Sequence, residues 1–239
     1  MRERLERLPE INSWASSMGR NGPETNADRF IDARLLGIYG VFDGRRGDGE
    51  GRLAANVAAD SFVGLFNTSE RDSLKGVLNK VSTIVSKLSE GGESTGLIAL
   101  VQKPNSAHPS SACNDVYLAN VGDARAYLLS DGCFFEAIDS SAGPVLGSHE
   151  AQLQPKFNHL DIKPADRLVL VTDGIWRNLT QEEIERCMIE DDPAAAIVNA
   201  ARRRIGIGLG SIQPATRSEK EAAEFGFSND DATAVVVRF

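Results

Sequence analysis

Short apolar runs along the chain mark the positions of buried strands. Their apolar residues are nearly continuous and polar turn residues bound them, as is typical of strands buried on both faces. The segment 117–135 is longer; it bends at Gly122-Asp123 and contains a hairpin turn at Asp131-Gly132. Residues 140–165 show only short strand-like stretches. The predicted strands cover 34–42, 95–102, 117–135, 167–171 and 233–239.

Helical patterns occur in two pairs of segments. Between residues 71 and 89, apolar residues recur at spacings of three and four, which predicts an amphipathic helix. Thr180 and Glu183 have the form of a capping box. Pro193, directly after Asp192, suits the first position of a further helix. The predicted helices lie near 52–66, 71–89, 181–189 and 192–204.

The order of these elements predicts the fold class. A strand comes first, then two helices, several strands, two helices and a last strand, whereas a parallel βαβ fold would alternate strand and helix. The order is typical of an α+β fold, a four-layer α-β-β-α sandwich with two antiparallel sheets flanked by helix pairs. We expect residues 1–239 to form a single domain, because folds of this length often remain undivided.

Composition and charge narrow the class of function. Of the 239 residues, 41% are hydrophobic and 25% charged, which is ordinary for a globular protein and argues against disorder. The net charge of −8 argues against a nucleic-acid partner, because proteins that bind phosphate backbones usually carry a basic excess. An acidic excess suits a site for divalent cations, although solubility explains it equally well.

Cysteine content and the N-terminal segment bear on the compartment. Cys113, Cys133 and Cys187 are few, far apart and odd in number, so they predict neither a disulfide framework nor a zinc site. The segment MRERLERLPE is charged where a signal peptide would be apolar, and no apolar run approaches the roughly 18 residues of a membrane span. We therefore expect a cytoplasmic protein with no membrane partner.

Three aspartates occupy similar places relative to apolar strands. Asp43 and Asp173 each follow a predicted strand, and Asp230 precedes the last one. If these strand ends converge, the carboxylates repel one another unless cations are bound, and carboxylate oxygens prefer magnesium or manganese. However, Asp-Gly pairs are also common in turns, and the chain has two more, at 48–49 and 131–132. The pattern alone leaves both interpretations open.

Five segments, in order along nearly the whole chain, resemble the motifs of the metal-dependent protein phosphatase 2C (PPM) family. The most similar is YLANVGDARAYLL. The five segments are YGVFDG at 39–44, ESTGLIAL at 93–100, YLANVGDARAYLL at 117–129, DRLVLVTDGIWRNLTQEEI at 166–184 and NDDATAVVVRF at 229–239.

The resemblance implies a binuclear metal centre. Asp43 would bridge two cations, Mn²⁺ or Mg²⁺, with the Gly44 carbonyl as a further ligand. Asp173 and Asp230 would complete the protein ligands of the first cation. The pair would activate a water for attack on a phosphoserine or phosphothreonine and stabilise the phosphoryl oxygens. The implied activity is that of a serine/threonine phosphoprotein phosphatase.

The resemblance also implies residues around the metals. In the family an arginine precedes an Asn-Glu-Asp run and binds the substrate phosphate, and Arg20 with Asp28 are the candidates here. A lone arginine is otherwise a solvated surface charge. Asp139 is similar to an aspartate that serves an additional, weaker cation; a simple turn residue is the alternative.

The chain departs from the family pattern at several positions. Ala27 stands where the family has glutamate, with Glu24 nearby, and Arg45 stands where eukaryotic members carry histidine. The short segment 139–147 indicates a reduced substrate-side flap. Because the family includes inactive scaffolds, the alternative is a catalytically weak or inactive domain that binds a regulatory protein partner. Retention of the three aspartates favours the enzyme, whose partner is a phosphoprotein substrate.

Overall fold

The computed structural model describes residues 11–19, 26–45, 48–68, 74–102, 113–140, 143–148, 153–206 and 230–239. Within these ranges the chain forms twelve strands and five helices. The strands are β1 (Asn12–Met18), β2 (Arg29–Ala33), β3 (Ile38–Phe42), β4 (Gly44–Arg45), β5 (Glu93–Ser94), β6 (Gly96–Gln102), β7 (Asn114–Val121), β8 (Arg125–Ser130), β9 (Cys133–Ile138), β10 (Lys156–Ile162), β11 (Arg167–Val171) and β12 (Ala232–Arg238). The helices are α1 (Asp48–Thr68), α2 (Leu74–Leu88), α3 (Asp173–Trp176), α4 (Gln181–Cys187) and α5 (Pro193–Gly206).

The strands build two five-stranded antiparallel sheets. Sheet A has the order β1-β12-β11-β8-β9, and sheet B has the order β10-β7-β6-β3-β2. A small ribbon of β4 and β5 extends from the end of β3. The central strands β3, β6, β11 and β12 are mostly apolar, and all of their residues except terminal ones are buried, as their continuous apolar runs predict.

Three apolar clusters separate four layers of secondary structure. The middle cluster fills the space between the sheets and includes Tyr39, Leu97 and Leu168. A second cluster joins α1 and α2 to the outer face of sheet B, and a third joins α3, α4 and α5 to the outer face of sheet A. The predicted α+β sandwich, with helices on both outer faces, is therefore confirmed.

Local sequence signals fix several element boundaries. Thr180 accepts a hydrogen bond from the Glu183 amide while the Glu183 carboxylate accepts one from the Thr180 amide, so the capping box opens α4 as predicted. Pro193 begins α5, and the Asp192 carboxylate accepts from the Ala195 amide. The strand at 167–171 has the predicted bounds.

The predicted strand at 34–42 is wrong in its first part. Residues Arg34–Leu36 form a single 3-10 turn that ends at Gly37, and the strand begins at Ile38. Gly37 has φ +66°, and a Cβ there would lie 2.5 Å from the carbonyl oxygen of Val101. Only glycine tolerates both conditions without strain, so the turn is fixed at this position.

Two predicted loops, most of 103–114 and of 206–229, lie outside the described residues. Among the helices that the structure describes, none is long and apolar enough to cross a membrane.

Candidate metal centre

The ladder of sheet B brings Asp28 and Asp43 to the same end of the sheet. Arg29, the first residue of β2, lies opposite Phe42, the last residue of β3. Asp28 and Asp43 are the next residues outward on these paired strands. Antiparallel neighbours that continue a ladder lie about 5 Å apart, so the two carboxylate-bearing residues emerge side by side.

Further carboxylates lie at one end of sheet A, again beyond the ends of paired strands. Val171, the last residue of β11, lies opposite Ala234 of β12, and the Thr172 amide donates to the Thr233 carbonyl at 3.1 Å. The chain beyond Thr172 leads into Asp173. The chain before β12 carries Asp230 and Asp231, so these acidic residues meet at one end of sheet A.

Two hydrogen bonds join these two ends across the sandwich. The Thr172 hydroxyl donates to Asp28 Oδ2 at 2.8 Å. The Ala27 amide donates to Asp231 Oδ2 at 2.7 Å. Acidic residues from both sheets therefore form a single cluster.

The cluster is electrostatically strained in the absence of cations. The pKa of Asp43 lies well above its usual range, first because of burial and then because of neighbouring charges, including Asp28, Asp173 and Asp230. The structure thus brings together Asp43, Asp173 and Asp230, the three aspartates that the sequence singled out.

Burial also raises the pKa values of two other carboxyl groups of the cluster. The pKa of Asp28 is raised to about 8, mainly by burial, although hydrogen bonds from Thr233 and Thr172 oppose the shift. The pKa of Asp173 is raised to about 6 by burial and then by the charge of Asp230. Both groups would be more stable beside a cation.

Two buried aspartates in the cluster each have a carboxylate oxygen with no hydrogen-bond partner among the described residues. These oxygens are Oδ1 of Asp28 and Oδ1 of Asp173. An unsatisfied buried oxygen destabilises a protein unless a ligand or water binds it. The donor set consists of hard carboxylate oxygens, which are the preferred ligands of Mg²⁺ and Mn²⁺. The cluster therefore fits divalent cations.

Glycines allow the segments around the cluster to approach closely. A Cβ on Gly174 would lie 1.9 Å from the carbonyl oxygen of Asp231, and a Cβ on Gly44 would lie 2.2 Å from that of Gly51. Both contacts are with backbone, which cannot move aside cheaply. The Asp-Gly pairs at 43–44 and 173–174 are thus packing requirements of the cluster rather than simple turns.

The ESTG segment fixes the backbone of Asp43. The Asp43 amide donates to the Thr95 hydroxyl at 3.1 Å, and the Thr95 amide donates to the Asp43 carbonyl at 2.9 Å. These two hydrogen bonds fix the backbone of Asp43 at the end of β3, so Thr95 positions this member of the cluster.

Sequence reasoning missed Asp123 as a member of the cluster. Its charge contributes to the raised pKa values of Asp43 and Asp173. Two arginines bind it: Arg45 Nη2 lies 2.8 Å from Asp123 Oδ1, and Arg177 Nη2 lies 3.5 Å from Oδ2. The available signal was its place directly after an apolar strand, the same place that singled out Asp43 and Asp173.

Arg177 is the second residue that the sequence analysis missed. Besides Asp123, its Nε lies 3.0 Å from Asp173 Oδ2. The neighbouring Trp176 fixes this corner: its indole N–H donates to the Asp123 carbonyl at 2.9 Å, and the Arg125 guanidinium lies 3.9 Å from its ring centroid. Part of the negative charge of the cluster is therefore balanced by arginine.

Other candidate residues lie elsewhere. Asp139 is mostly exposed and its Oδ1 pairs with Lys156 Nζ at 2.5 Å, so its place as a ligand of an additional cation stays a prediction. Arg20 and Glu24 lie outside the described residues. Arg45 is partly exposed beside the cluster, where it pairs with Asp123.

A separate group of possible ligands lies at the far end of β7. Donor atoms of Asp115, His159 and Asp161 lie within 4.8 Å of one another. These side chains are largely exposed, and His159 bonds to Asp115 at 2.9 Å and stacks on Tyr117. Asp115 is six residues from Val121, or about 20 Å along a strand. The group is thus distinct from the cluster.

A substitution at Ala27, where the PPM family has glutamate, tests whether a carboxylate at this position strengthens manganese binding. The residue is buried, and its carbonyl oxygen would lie 2.8 Å from a Cβ on Gly44. In Ala27→Glu we expect the manganese concentration for half-maximal activity to fall at least about threefold, because cation affinity follows the number of charged ligands. Ala27→Gln is the uncharged control; no change or a rise in Ala27→Glu would contradict the expectation.

Comparisons with known proteins agree with this geometry. The family model for stage II sporulation protein E (SpoIIE) matches residues 49–239. A comparison with curated protein sequences gave no significant match.

The fold is shared with several solved structures, phosphatases among them. The photosystem II phosphatase PBCP is 19% identical with a TM-score of 0.75, covering 96% of this chain and 98% of that one. PppA, a regulatory component of the type VI secretion system in Pseudomonas aeruginosa, is 20% identical with a TM-score of 0.70, covering 97% and 98%. The catalytic domain of the serine/threonine phosphatase PstP, in complex with two manganese ions, is 18% identical with a TM-score of 0.64, covering 95% and 97%.

The family model covers most of the chain, and the sandwich is that of these phosphatases. The chain therefore belongs to the SpoIIE family and, with it, to the protein phosphatase 2C-like (PPM) phosphatases.

Proposed function

We propose that the protein is a metal-dependent serine/threonine phosphoprotein phosphatase that hydrolyses phosphomonoesters by attack of an activated water. The observation that carries the proposal is the convergence of Asp43, Asp173 and Asp230 with unpartnered carboxylate oxygens on Asp28 and Asp173. A cluster of this charge has no structural purpose of its own, since it raises the free energy of the folded chain.

Each carboxylate has a distinct position in the proposed centre. Asp43 lies at the end of sheet B, within reach of the charges of Asp28, Asp173 and Asp230, and it would be a ligand shared by the bound cations. Asp173 and Asp230 extend from sheet A toward it. Gly44, directly after Asp43, offers a backbone carbonyl. Bound Mn²⁺ or Mg²⁺ would supply Lewis-acid activation of a water and neutralise charge on the phosphoryl oxygens.

Asp28 is placed to handle a proton. The Thr172 hydroxyl donates a hydrogen bond to Oδ2 of Asp28. Oδ1 of Asp28 has no hydrogen-bond partner among the described residues. The pKa of Asp28 is raised to about 8, chiefly by burial, so near neutral pH the metal-free protein holds this carboxyl group largely protonated. Bound cations would favour the charged form, in which Asp28 would accept a proton from the nucleophilic water and position it.

A regulatory domain of weak or no activity is the second candidate function. It is favoured by Arg177, whose Nε pairs with an Asp173 oxygen that a cation would otherwise use. Ala27 also favours weak or no activity, since alanine lacks the carboxylate that the family's glutamate provides at this position. In that case the surface of the domain, rather than its chemistry, would engage a protein partner.

The test is hydrolysis of p-nitrophenyl phosphate and of a phosphothreonine peptide while manganese is titrated from zero to millimolar. We expect manganese-dependent turnover of both substrates and its loss in Asp173→Asn. Absence of turnover in a folded protein with manganese bound would favour the regulatory function. Turnover that persists in Asp173→Asn would contradict the assignment of this centre.

A further inference from the structure

The guanidinium group of Arg177 is shared by two carboxylates of the cluster. Its Nε lies 3.0 Å from Asp173 Oδ2, and its Nη2 lies 3.5 Å from Asp123 Oδ2. The side chains of Asp173 and Asp123 keep only 10% and 23% of their surface exposed. A single positive charge therefore lies where the fold brings together acidic residues from beyond the ends of β7 and β11.

The local structure holds Arg177 in this place. Arg177 follows Asp173 by four residues at the end of α3, and its amide donates to the Asp173 carbonyl at 3.0 Å. Residues four apart lie on the same face of a helix, so their side chains meet. The buried Trp176 donates its indole N–H to the Asp123 carbonyl at 2.9 Å, and the Arg177 guanidinium lies 5.0 Å from its ring centroid. The contact is thus a consequence of the fold rather than of a chance rotamer.

The guanidinium can nevertheless leave these contacts easily. Nε of Arg177 is not aligned for a hydrogen bond with Asp173, so this contact is an ion pair only. The distance of 3.5 Å to Asp123 is long for a hydrogen bond. The Arg177 side chain is 31% exposed, so it can turn into solvent without crossing the core. Arg177 is therefore a displaceable counter-ion of the cluster.

Arg177 and a divalent cation oppose each other at Asp173. Oδ2 of Asp173 pairs with Arg177, and Oδ1 has no hydrogen-bond partner among the described residues. A cation on both oxygens must displace the guanidinium, and a cation on Oδ1 alone lies close to a like charge. Burial raises the pKa of Asp173 to about 6 and the charges of Asp230 and Asp123 add to this, whereas the charge of Arg177 opposes the shift. In the metal-free protein Arg177 thus balances charge that a cation would otherwise balance.

We propose that Arg177 is a tethered counter-ion that competes with the divalent cation for Asp173, so that it stabilises the metal-free protein and lowers the cation affinity of the centre. The inference rests on the proposed function and assigns to one residue the metal concentration at which the enzyme becomes active. As the cation binds, the guanidinium leaves Asp173 and turns toward solvent. A residue that only supported the fold would act differently, because its loss would weaken metal-free stability and cation binding together.

The experiment measures these two quantities separately. Manganese affinity is measured by titration calorimetry, and metal-free stability is measured as Tm in the presence of a chelator. Arg177→Met removes the charge and keeps an unbranched side chain beside Trp176, whereas Arg177→Lys keeps the charge. Arg45→Met removes a charge whose ion pair is with Asp123. Arg186→Met removes an exposed arginine from α4 and is the outside control.

For Arg177→Met we expect manganese affinity to rise at least about fivefold, because a like charge beside the carboxylate ligands is removed. Its metal-free Tm should fall by at least about 2 °C, which is the contribution of a partly exposed ion pair in a domain of this size. Arg177→Lys should lie nearer the wild type in both quantities. Arg45→Met should gain less affinity than Arg177→Met, and Arg186→Met should match the wild type. Should Arg177→Met fail to fold without metal, Arg177→Gln, which keeps a polar group beside Asp173, replaces it.

Unchanged or lower manganese affinity in Arg177→Met would overturn the inference, and lower affinity with lower Tm would make Arg177 a structural support. An equal gain in Arg186→Met would also overturn it. Failure of the proposed function alone would look different: manganese binds Arg177→Met more tightly than the wild type, yet neither protein turns over, and the competition stands. Absence of manganese binding in every variant would overturn both proposals.

Discussion

Replacing Asp43 by asparagine is expected to abolish manganese binding and to stabilise the metal-free protein at the same time. Asp43 lies among Asp28, Asp173 and Asp230, and burial together with these charges makes its ionisation costly. Asparagine has nearly the same shape without the charge. It therefore removes repulsion from the metal-free cluster, while it removes the proposed shared ligand from the metal-loaded one.

The two effects are measured separately. We expect activity and manganese affinity of Asp43→Asn to fall at least about a hundredfold, since even the loss of outer-sphere partners costs up to that factor. The Tm of the chelator-treated variant should exceed that of the wild type. Unchanged manganese affinity would contradict the assignment of Asp43 as a ligand.

A matched variant distinguishes the cluster from the surface group at the far end of β7. Asp115→Asn removes an aspartate that bonds to His159 and lies in the group of exposed possible ligands. It should leave manganese affinity and activity at wild-type levels. A loss of manganese binding in Asp115→Asn, with none in Asp43→Asn, would move the metal site to the surface group.

The second large effect is a fall in the stability of the metal-free protein as pH rises. The pKa of Asp28 is raised to about 8 and that of Asp173 to about 6, chiefly by burial, whereas in the unfolded chain both have the ordinary value of 3.8. Between these values the folded state holds protons that the unfolded state has lost. The free energy of unfolding therefore decreases from about pH 4 to about pH 8.

Thermal unfolding in the presence of a chelator measures this dependence. We expect Tm to fall by at least about 5 °C between pH 5 and pH 8, given that 1 kcal/mol corresponds to about 2–4 °C in a domain of this size. Manganese should raise Tm more at pH 8 than at pH 5, because the cations replace the lost protons. Asp28→Asn should flatten the profile, and Asp139→Asn should not. A Tm that is constant or rises over this range would refute the expectation.

The sequence predicted the helices and strands whose pattern depends only on residues close together in the chain. The period of α2, the capping box at Thr180 and the apolar run of β11 each depend on neighbouring residues alone, and the structure agrees with them. The edge strand β1 was missed, and β10 was predicted only as short strand-like stretches, because one face of an edge strand meets solvent and the apolar pattern is diluted. β1 carries the mixed sequence NSWASSM, and β10 carries KFNHLDI with mostly exposed side chains.

The sequence predicts those residues of the candidate site that lie at the ends of apolar strands. It does not predict residues whose place depends on contacts between distant parts of the chain. Asp43, Asp173 and Asp230 follow from their places beside apolar strands. Asp123 has the same place, but the turn at Gly122 explained it equally well without long-range information. The pairing of Arg177 with Asp123 and Asp173 joins distant parts of the chain, so no local pattern reveals it. The pairing of Asp139 with Lys156 is likewise invisible in the local sequence.

The pairing of β1 with β12 has a consequence for the order in which the molecule assembles. Asn12 lies opposite Arg238, so β1 can pair with β12 only after residues 232–238 have been synthesised. The segment that leads into β12 also contributes Asp231, which accepts from the Ala27 amide, and β12 itself contributes Thr233, which hydrogen-bonds to Asp28. Contacts of such long sequence separation form slowly. The carboxylate cluster is therefore incomplete in a nascent chain that ends before Asp230, and its last members join it late in folding.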